Sequence, residues 1–527
     1  MDGMRWDGWG DPAATVELPA TLAQLLEHAL GVSPAAARPP VAPEAVRLPE
    51  PSLPAAVRDQ LAAVVGGGQV STAAADRVRH TRGKSTTDLL RIRAGEADDA
   101  PDAVVRPADH DQVLAVLRVC AARRVAVVPF GGGTSVVGGL APDRAGFAGT
   151  VALDLSGMDS LVAVDPVSQL VTLAAGVTGP AAEHLLAGHG FTLGHYPQSF
   201  EYATIGGFAA TRSSGLYSSG YGRFDDLVVA LRVATPEGTV QLGRAPRSAA
   251  GPDLRQLFLG SEGTLGVITE VTVRVRPVPT ERACTGWQFD SFPAGMTALR
   301  TLAQEGLAPS LLRLSDEYET AGAAATGGIA ASGCLAVVGY EGRGALRRRP
   351  DVEAVVREAG GSPLDGDIGK PWRQSRFRAP YLRDALLAAG ALAETVETAA
   401  FWSGLLPLYE AVRGALLDEL AGLGTPPMVL CHVSHVYPTG ASLYFTVVCA
   451  QAADPVGQWR RAKQAASTAI VATGGTITHH HAVGRDHAGQ LAAEIGPLGL
   501  AAIRAVKQRL DPAGILNPGV LLADPGA

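Results

Sequence analysis

Five glycines within eleven residues directly follow a short run of apolar side chains. The run from Val125 to Phe130 is typical of a buried strand, and the chain continues as Pro129-Phe-Gly-Gly-Gly-Thr-Ser-Val-Val-Gly-Gly139. Glycine lets the backbone turn tightly, so successive N–H groups point to one side and bind a diphosphate without a charged side chain. The alternative is a flexible surface turn, which the preceding strand disfavours. The expected diphosphate contacts are Pro129, Phe130, Gly131, Gly132, Gly133, Thr134 and Ser135.

This loop does not match the two most common nucleotide-binding patterns. It lacks the Gly-Lys-Ser/Thr of a Walker A loop. Its glycine spacing also differs from the Rossmann fingerprint. The loop alone therefore predicts a diphosphate site without identifying the nucleotide.

Two later segments are also rich in glycine and small hydroxylated residues. One extends from Pro197 to Gly215, and the other from Gly260 to Ile268. Each could be a pair of tight turns, but three such segments together predict that the chain wraps one large dinucleotide. The expected cofactor contacts in these segments are Gln198, Ser199, Glu201, Thr204, Gly207, Thr211, Arg212, Ser213, Ser214, Glu262, Gly263, Thr264, Gly266 and Ile268.

The order of the predicted elements indicates two domains that mix helices and strands. Up to about residue 279, strands and helices joined by glycine-rich turns are typical of an α/β arrangement. Pro277 and Pro279 mark a boundary. Beyond it, strand-like runs such as Leu335 to Tyr340 alternate with helical ones such as Leu405 to Leu420, which predicts an α+β domain with an antiparallel sheet. The predicted division is a helical N-terminal arm at 1–75, a nucleotide-binding domain at 76–279, a second domain at 280–475, and a segment at 476–527 that packs on the nucleotide-binding domain.

Composition limits the partners of this chain. Of its 527 residues, 47% are hydrophobic and 18% are charged, so the chain is not disordered. A net charge of -7 without a basic stripe argues against nucleic acid as a partner. The five cysteines are scattered, which argues against a disulfide framework or a zinc site. We therefore expect a small molecule or a lipid as the substrate and no bound metal.

The sequence also bears on location. The longest apolar stretch, Ala385 to Val412, is interrupted by Glu394, Glu397 and Glu410, so we do not expect it to span a membrane. The N-terminus lacks the apolar core of a signal peptide. The expected location is the cytoplasm, and loose contact with a membrane surface is left open.

The three small-residue segments resemble the FAD-binding domain of the vanillyl-alcohol-oxidase family, also called the p-cresol methylhydroxylase (PCMH) type. In that family the first segment binds the diphosphate, and the others line the flavin and the adenine. The resemblance implies an α+β protein in which a two-subdomain, PCMH-type FAD-binding domain carries an α+β cap domain. Covalent members have a histidine in the first loop where this chain has Thr134. The resemblance therefore implies FAD that is bound non-covalently.

Four further motifs resemble the alkyldihydroxyacetonephosphate synthases. They are Arg5-Trp-Asp-Gly-Trp-Gly10, Arg79-His-Thr-Arg-Gly-Lys84, Gly194-His-Tyr-Pro-Gln-Ser-Phe-Glu201 and His479-His-His-Ala-Val-Gly484. Those enzymes exchange the acyl chain of acyl-dihydroxyacetone phosphate for a fatty alcohol through a flavin N5 adduct, without net redox change. The resemblance also implies a homodimer. Gln198, Ser442 and Ala482 stand where eukaryotic members have an acidic residue, a cysteine and a glycine.

Three consecutive histidines, His479, His480 and His481, are the most specific candidates for catalysis. They follow Gly474-Gly475, which we expect to come after a strand. Imidazoles suit acid–base work and contact with a phosphate near the flavin. The alternative interpretation is a surface cluster or one packed histidine. The resemblance further implies that Tyr437 accepts and donates a proton, whereas an ordinary strand aromatic is the alternative.

Two arginines are candidates for binding an anionic substrate. Arg313 lies in the apolar run Pro309-Ser-Leu-Leu-Arg-Leu314, where an unpaired charge is costly. The resemblance implies a functional role for Arg313 and substrate binding by Arg383. For Arg383 the alternative is a salt bridge with Asp384. An arginine fork suits a phosphate and a carboxylate equally well, so these residues do not separate the substrates.

Two other functions compete with ether-bond synthesis. A FAD-dependent 2-hydroxy-acid dehydrogenase, acting on D-lactate or glycolate, would share the fold and the arginine. Such enzymes usually carry His-x-Gly-Asp-Gly-Asn-x-His and Glu-His-Gly motifs, where this chain has Ser434-His-Val-Tyr-Pro-Thr-Gly-Ala and His-His-His-Ala. The other alternative, a non-catalytic flavin-binding protein, is disfavoured by the polar His, Tyr and Arg set.

Overall fold

The computed structural model describes residues 3–325, 329, 331–366, 368, 369 and 377–523. Residues up to Pro277 contain eleven strands, which form three sheets. The strands are β1 (Val70–Ser71), β2 (Ala103–Val105), β3 (Val125–Phe130), β4 (Gly149–Asp154), β5 (Leu161–Asp165), β6 (Leu170–Ala174), β7 (Phe191–Thr192), β8 (Val228–Thr235), β9 (Gly238–Leu242), β10 (Val267–Arg274) and β11 (Arg276–Pro277). The helices are α1 (Ala20–Leu30), α2 (Ala55–Val65), α3 (Ala74–Arg79), α4 (Thr86–Arg93), α5 (His110–Arg123), α6 (Gly179–Ala187), α7 (Ile205–Thr211), α8 (Ser218–Tyr221), α9 (Phe224–Leu227) and α10 (Arg255–Phe258).

The first sheet has the order β1-β2-β4-β3 and ends at the glycine loop. Strands β2, β4 and β3 are parallel, and α5 connects β2 to β3. The spacing of Asp109 and Gln112 predicts a capped start for this helix, and the structure confirms it. The Asp109 carboxylate accepts from the Gln112 amide at 2.8 Å, and the Gln112 side chain accepts from the Ala108 amide at 2.8 Å. Because β3 is apolar throughout, it lies in the core and places the loop at its carboxyl end.

The second sheet has the order β5-β6-β10-β8-β9 and is antiparallel. It shares one hydrophobic core with the first sheet, and α2, α5, α6 and α7 contribute to that core. Strands β7 and β11 form a separate pair. Two subdomains with one core agree with the predicted FAD-binding fold.

Residues between Arg282 and Ala472 form a second half around a seven-stranded antiparallel sheet of order β15-β12-β14-β13-β17-β18-β16. Its strands are β12 (Arg282–Phe289), β13 (Leu311–Ser315), β14 (Cys334–Glu341), β15 (Ser362–Pro363), β16 (Ala391–Phe401), β17 (Met428–Tyr437) and β18 (Gly440–Ala450). The helices are α11 (Phe292–Gln304), α12 (Glu317–Ala325), α13 (Gly342–Arg347), α14 (Arg349–Glu358), α15 (Ala379–Ala388), α16 (Trp402–Gly422) and α17 (Pro455–Ala472). The last helix, α18 (Leu491–Leu510), is kinked at Gly496 and packs against the core of the first half through Ile503, Val506 and Leu510. The antiparallel sheet predicted for this half is confirmed.

The apolar stretch from Ala385 to Val412 is divided among three elements rather than forming one. It contains the end of α15, all of β16 and the first half of α16. None of the helices in the described part of the chain combines the length and apolar character that a membrane crossing requires. Glu394 and Glu397, which interrupt the stretch in the sequence, are both buried in β16.

Candidate functional site

The glycine loop packs directly against the second small-residue segment. A Cβ atom on Gly131 would overlap with the Thr204 hydroxyl, and one on Gly132 would overlap with the Tyr202 carbonyl oxygen. Gly133 has a φ of 68°, a conformation that glycine adopts without strain. The glycines are therefore required by close backbone packing as well as by the turn.

The same loop presents backbone donors to a ligand. The amides of Gly132, Gly133, Thr134 and Ser135 donate no hydrogen bond to any residue that the structure describes. Gly132 and Gly133 are buried, and a buried N–H group without an acceptor is costly. A diphosphate provides anionic acceptors for such a row of amides. The loop thus fits the diphosphate of FAD.

The third segment joins this loop to the C-terminal part of the chain. The Glu262 carboxylate accepts from the amides of Val483 at 3.1 Å and Gly484 at 2.7 Å. The Asn517 side-chain amide donates to the carbonyl oxygens of Gly139 and Glu262 at 3.0 and 2.7 Å. Burial raises the pKa of Glu262 to about 7, although its two backbone hydrogen bonds act in the opposite direction. Residues after the histidines are therefore fixed to the glycine loop, through Gly139, and to the third small-residue segment, through Glu262.

Several residues predicted to contact the cofactor also have structural partners. Glu201 accepts from the Trp9 indole at 3.4 Å and the Tyr381 hydroxyl at 3.3 Å, and Arg212 pairs with Asp225 at 2.9 Å. Others cap helices, pack on neighbours or lie in a strand: Thr204, Gly207, Thr211, Gly263, Thr264, Gly266 and Ile268. Their contact with the cofactor, like that of Gln198 and Ser199, stays a prediction.

One buried carboxylate, that of Glu397 in β16, binds the three-histidine segment. It accepts from the backbone amides of His479, His480 and His481 at 2.7, 3.1 and 3.0 Å, and from the Thr478 hydroxyl. The carboxylate oxygen that accepts from the His479 amide also lies 3.4 Å from His480 Nδ1. Burial alone would raise the pKa of Glu397, but the charge and hydrogen bond of His480 hold it well below its usual range. The carboxylate therefore fixes the backbone from which all three imidazoles extend.

The histidines form a hydrogen-bonded chain with Tyr437. His479 Nε2 lies 2.8 Å from the Tyr437 hydroxyl, and His479 Nδ1 lies 3.0 Å from His480 Nδ1. The His435 ring stacks on that of His479 with centroids 5.1 Å apart. His481 packs edge-on against His480 and Tyr444. The structure thus brings together four of the five predicted catalytic residues.

The environment keeps most of these imidazoles neutral. Burial and the nearby His480 charge lower the pKa of His435 and His479 well below the ordinary value. Burial lowers the pKa of His481 to about 3, against the opposing charge of Glu397. Burial raises the pKa of Tyr437 to about 12, although the charge of Arg223 acts in the opposite direction. A neutral imidazole beside a neutral phenol can pass a proton in either direction.

The cluster lies against the second small-residue segment. His435 Nδ1 is 3.0 Å from the Ser214 hydroxyl and 2.6 Å from the Ser218 hydroxyl. Ser213, the neighbour of Ser214, pairs instead with His195 at 3.0 Å. Ser214 is a predicted flavin contact, so that prediction also places the Tyr437 and histidine groups near the flavin.

The two predicted arginines are each paired with a carboxylate. Arg313 lies 3.0 Å from Glu319, and the same nitrogen lies 3.0 Å from His432 Nδ1. Arg383 pairs with Asp384 at 3.1 Å and donates to the Lys84 carbonyl oxygen at 2.6 Å. Arg383 therefore makes the salt bridge named as its alternative, and its role as a substrate contact stays a prediction.

One expectation about the histidines was wrong, and two residues were missed. Gly474-Gly475 follow helix α17, not a strand. An alanine-rich run without alternating polarity gives little distinction between helix and strand, which explains the error. Glu397 and His435 were not among the predicted site residues. For Glu397 the available signal was a carboxylate inside an apolar run; for His435 it was a histidine two residues before Tyr437.

Comparison with known proteins identifies the family. Residues 101–243 match a FAD binding domain, and residues 278–521 match the C-terminal domain of FAD linked oxidases. The chain is 32% identical to alkyldihydroxyacetonephosphate synthase of Trypanosoma brucei brucei over an alignment of 572 positions. This alignment covers 100% of this chain and 93% of that protein. The chain belongs to the alkyldihydroxyacetonephosphate synthase family. FAD is therefore the cofactor, as the resemblance of the three small-residue segments to a known FAD-binding domain implied.

Two further similarities bear on fold and function. A solved structure of an alkyldihydroxyacetonephosphate synthase superposes with a TM-score of 0.83 at 27% identity, covering 98% of this chain and 99% of that one. The glycolate oxidase subunit GlcD of Escherichia coli strain K12 is 28% identical over 444 residues, covering 80% of this chain and 83% of that protein. The synthase family thus matches this chain over more of its length than the hydroxy-acid oxidase does.

Proposed function

We propose that this protein exchanges the acyl group of an acyl-dihydroxyacetone phosphate for a fatty alcohol. In this reaction the carbon–oxygen bond to the acyl group breaks, one to the alcohol forms, and the alcohol proton ends on the released fatty acid. No electron acceptor is consumed. When bound, FAD supplies N5 of its ring as the nucleophile for the substrate carbon. The observation that carries the proposal is the 2.8 Å hydrogen bond between Tyr437 and His479 beside a flavin-binding segment.

The hydrogen-bonded chain lets Tyr437 both take and give a proton. When His480 is neutral and the His479 proton is on Nδ1, His479 donates to His480 Nδ1, and His479 Nε2 accepts from the Tyr437 hydroxyl. When His480 donates instead, His479 carries its proton on Nε2 and donates to the Tyr437 oxygen. Reversing the direction of two hydrogen bonds therefore changes Tyr437 from donor to acceptor. Such positioned acid–base groups contribute roughly 10²–10⁴-fold to a rate.

The other parts of the proposal come from the family. We infer that FAD is held non-covalently, because Thr134 stands where a linking histidine would be. Homodimerisation is an expectation of the same kind, whereas the cytoplasmic location is an expectation from the sequence.

The test is a pair of anaerobic reactions with purified, FAD-containing protein. One sample receives palmitoyl-dihydroxyacetone phosphate with hexadecanol, and the other receives D-lactate. We expect palmitate release and an alkyl ether product in the first sample, and no flavin reduction in the second. The Tyr437→Phe variant should lose about 10²–10⁴-fold in kcat.

Tyr340→Phe is the matched control for this variant. Tyr340 is another tyrosine of the large sheet; it is buried, and its hydroxyl has no hydrogen-bond partner among the described residues. We expect it to retain full activity. Complete reduction of the flavin by D-lactate, with no reaction of the acyl ketone phosphate, would replace the synthase proposal with a dehydrogenase.

A further inference from the structure

An arginine that the sequence analysis did not single out as a substrate contact faces the catalytic cluster. Arg223 precedes α9, and its guanidinium donates to the carbonyl oxygen of Arg212, two residues before the Ser214 whose hydroxyl contacts His435. Burial raises the pKa of Tyr437, and the charge of Arg223 acts against that rise. The same charge acts on His435 and His479. Arg313 and Arg383 are instead paired with Glu319 and Asp384.

The Arg223 guanidinium is fixed along one edge. Its Nε donates to the Asp225 carboxylate at 3.1 Å, and its Nη2 donates to the Arg212 carbonyl oxygen at 3.1 Å. The following amide, of Phe224, donates to the Ser213 carbonyl oxygen at 3.0 Å, which anchors this turn to the flavin-binding segment. The side chain is 18% exposed, so the charge is largely removed from bulk water.

The nearby carboxylates leave the guanidinium incompletely paired. Asp225 lies between two arginines, since its other oxygen is 2.9 Å from Arg212. Asp226 uses one carboxylate oxygen to accept from the Arg223 backbone amide at 2.9 Å rather than from the guanidinium. A planar guanidinium fixed on one edge presents its remaining N–H groups in the fork geometry that suits phosphate oxygens.

We propose that Arg223 binds the phosphate group of the ketone phosphate substrate and so places the reacting carbon beside Tyr437. This inference rests on the proposed function, because it assigns the anionic end of that substrate. A phosphomonoester dianion bound by this guanidinium is held at the segment whose Ser214 contacts the histidine cluster. The two other roles open to Arg223 are contact with the FAD diphosphate and capping of α9 alone.

The experiment compares Arg223→Gln and Arg223→Lys with wild type in the FAD-containing protein. The readouts are KM and kcat for palmitoyl-dihydroxyacetone phosphate, the inhibition constant of inorganic phosphate, and FAD content. We expect Arg223→Gln to raise both KM and the inhibition constant by about 30-fold, with kcat at saturation changed by less than about threefold. Arg223→Lys should recover part of the loss, because it keeps the charge without the fork.

Arg255→Gln is the matched control. Arg255 also pairs with an aspartate two residues away, also donates to backbone carbonyl oxygens, and is 22% exposed. It should leave KM and phosphate inhibition unchanged. An unchanged KM and inhibition constant in Arg223→Gln would overturn the proposal, as would loss of FAD in proportion to activity.

A direct binding measurement separates this inference from the proposed function. Titration of dihydroxyacetone phosphate and of inorganic phosphate is followed by the flavin absorbance, which requires no turnover. If wild type binds both ligands and Arg223→Gln binds them about 30-fold more weakly, the phosphate site stands even where no ether product forms. If neither ligand perturbs wild type, or the variant binds them equally well, Arg223 is not a phosphate site.

Discussion

At the scale of single residues, the position of the histidines depends on one carboxylate from a distant part of the chain. Glu397 is separated from His479 by 82 residues and accepts from three consecutive amides of that segment. A buried carboxylate is costly unless its oxygens are fully hydrogen-bonded, and here the histidine segment provides those donors. Neither partner is stable in this position without the other.

Replacing Glu397 by glutamine should therefore affect both stability and activity. The amide has one accepting oxygen, and its NH₂ group faces backbone donors that it cannot accept from. We expect a loss of about 3–5 kcal/mol in the free energy of unfolding and a large fall in kcat. Thermal unfolding with Glu410→Gln as an exposed control measures the first effect. Equal melting temperatures for the two variants would contradict the prediction.

The acid sensitivity of the same variant provides a second readout. The pKa of Glu397 is held well below 4.5 in the folded protein. Its contribution to the free energy of unfolding is therefore complete above pH 4.5 and is lost as the pH falls toward the depressed pKa. In Glu397→Gln this part of the acid sensitivity should be absent. Wild-type and variant melting temperatures should then converge as the pH decreases below 4.5.

Which site residues were predictable from the sequence depended on how far away their partners lie. Tyr437 and the three histidines carry recognisable local motifs. The structure joins Tyr437, His479 and His480 in one hydrogen-bonded chain, and the His481 ring packs against His480. Glu397 carries no such motif, and its only sequence signal was an interruption of an apolar stretch. Its role follows from a pairing that no local pattern contains.

At the scale of elements, most strands with clear boundaries were predicted and β16 was not. Val125–Phe130 appears with the predicted limits, and the predicted run from Leu335 to Tyr340 lies within β14 (Cys334–Glu341). Strand β16 is rich in alanine and carries two carboxylates, a composition that disfavours a strand. Its place in the sheet is set by the pairing of Ala391–Phe401 with β18, so tertiary contacts outweigh local propensity.

The N-terminal segment Arg5–Gly10 shows another effect that local propensity does not contain. Its Trp9 amide donates to Asp384 and its indole to Glu201, while Lys84 donates to the Arg5 carbonyl oxygen at 2.8 Å. The Lys84 amide in turn donates to the Ser135 carbonyl oxygen in the glycine loop at 2.7 Å. This segment therefore joins the second half of the molecule to two flavin-binding segments.

Gly10→Ala tests that connection. Gly10 has a φ of 71°, and a Cβ atom there would overlap with the Tyr381 ring. We expect a lower melting temperature and faster release of FAD, because the segment must move away from Tyr381. Gly31→Ala is the control, since Gly31 has a φ of 65° and no atom within 4 Å of a Cβ. It should show only the backbone strain of about 1 kcal/mol. Similar FAD release from both variants would contradict this role.

At the scale of the whole molecule, the two halves are joined through polar groups that are buried together. The Thr86 amide of the first half donates to Glu394, and Ser214 and Ser218 contact His435. Such groups have their hydrogen bonds only in the assembled protein, so they make the relative position of the halves specific. Because burial lowers the pKa of His435, the assembly of the two halves also depends on pH.

The last prediction concerns this pH dependence. Burial lowers the pKa of seven histidines: His110, His195, His432, His435, His479, His481 and His487. In the unfolded chain each has the ordinary pKa of about 6.5, so below that pH the unfolded state binds more protons. Four carboxyl groups with raised pKa values act in the opposite direction: Asp88, Glu183, Glu262 and Asp316. Because the histidines are more numerous, stability should be complete above about pH 6.5 and should fall as the pH decreases toward 5.

Melting temperatures of the FAD-containing protein between pH 8 and pH 5, at constant ionic strength, measure this fall. His487→Gln should make the decline less steep, because burial lowers the pKa of His487 to about 3 and its Nδ1 has no partner among the described residues. Each such histidine contributes up to about 1.4 kcal/mol per pH unit below 6.5. The exposed His189, changed to glutamine, is the control and should leave the slope unchanged. Equal slopes for both variants would show that His487 does not take part, and a flat wild-type profile would refute the pH dependence itself.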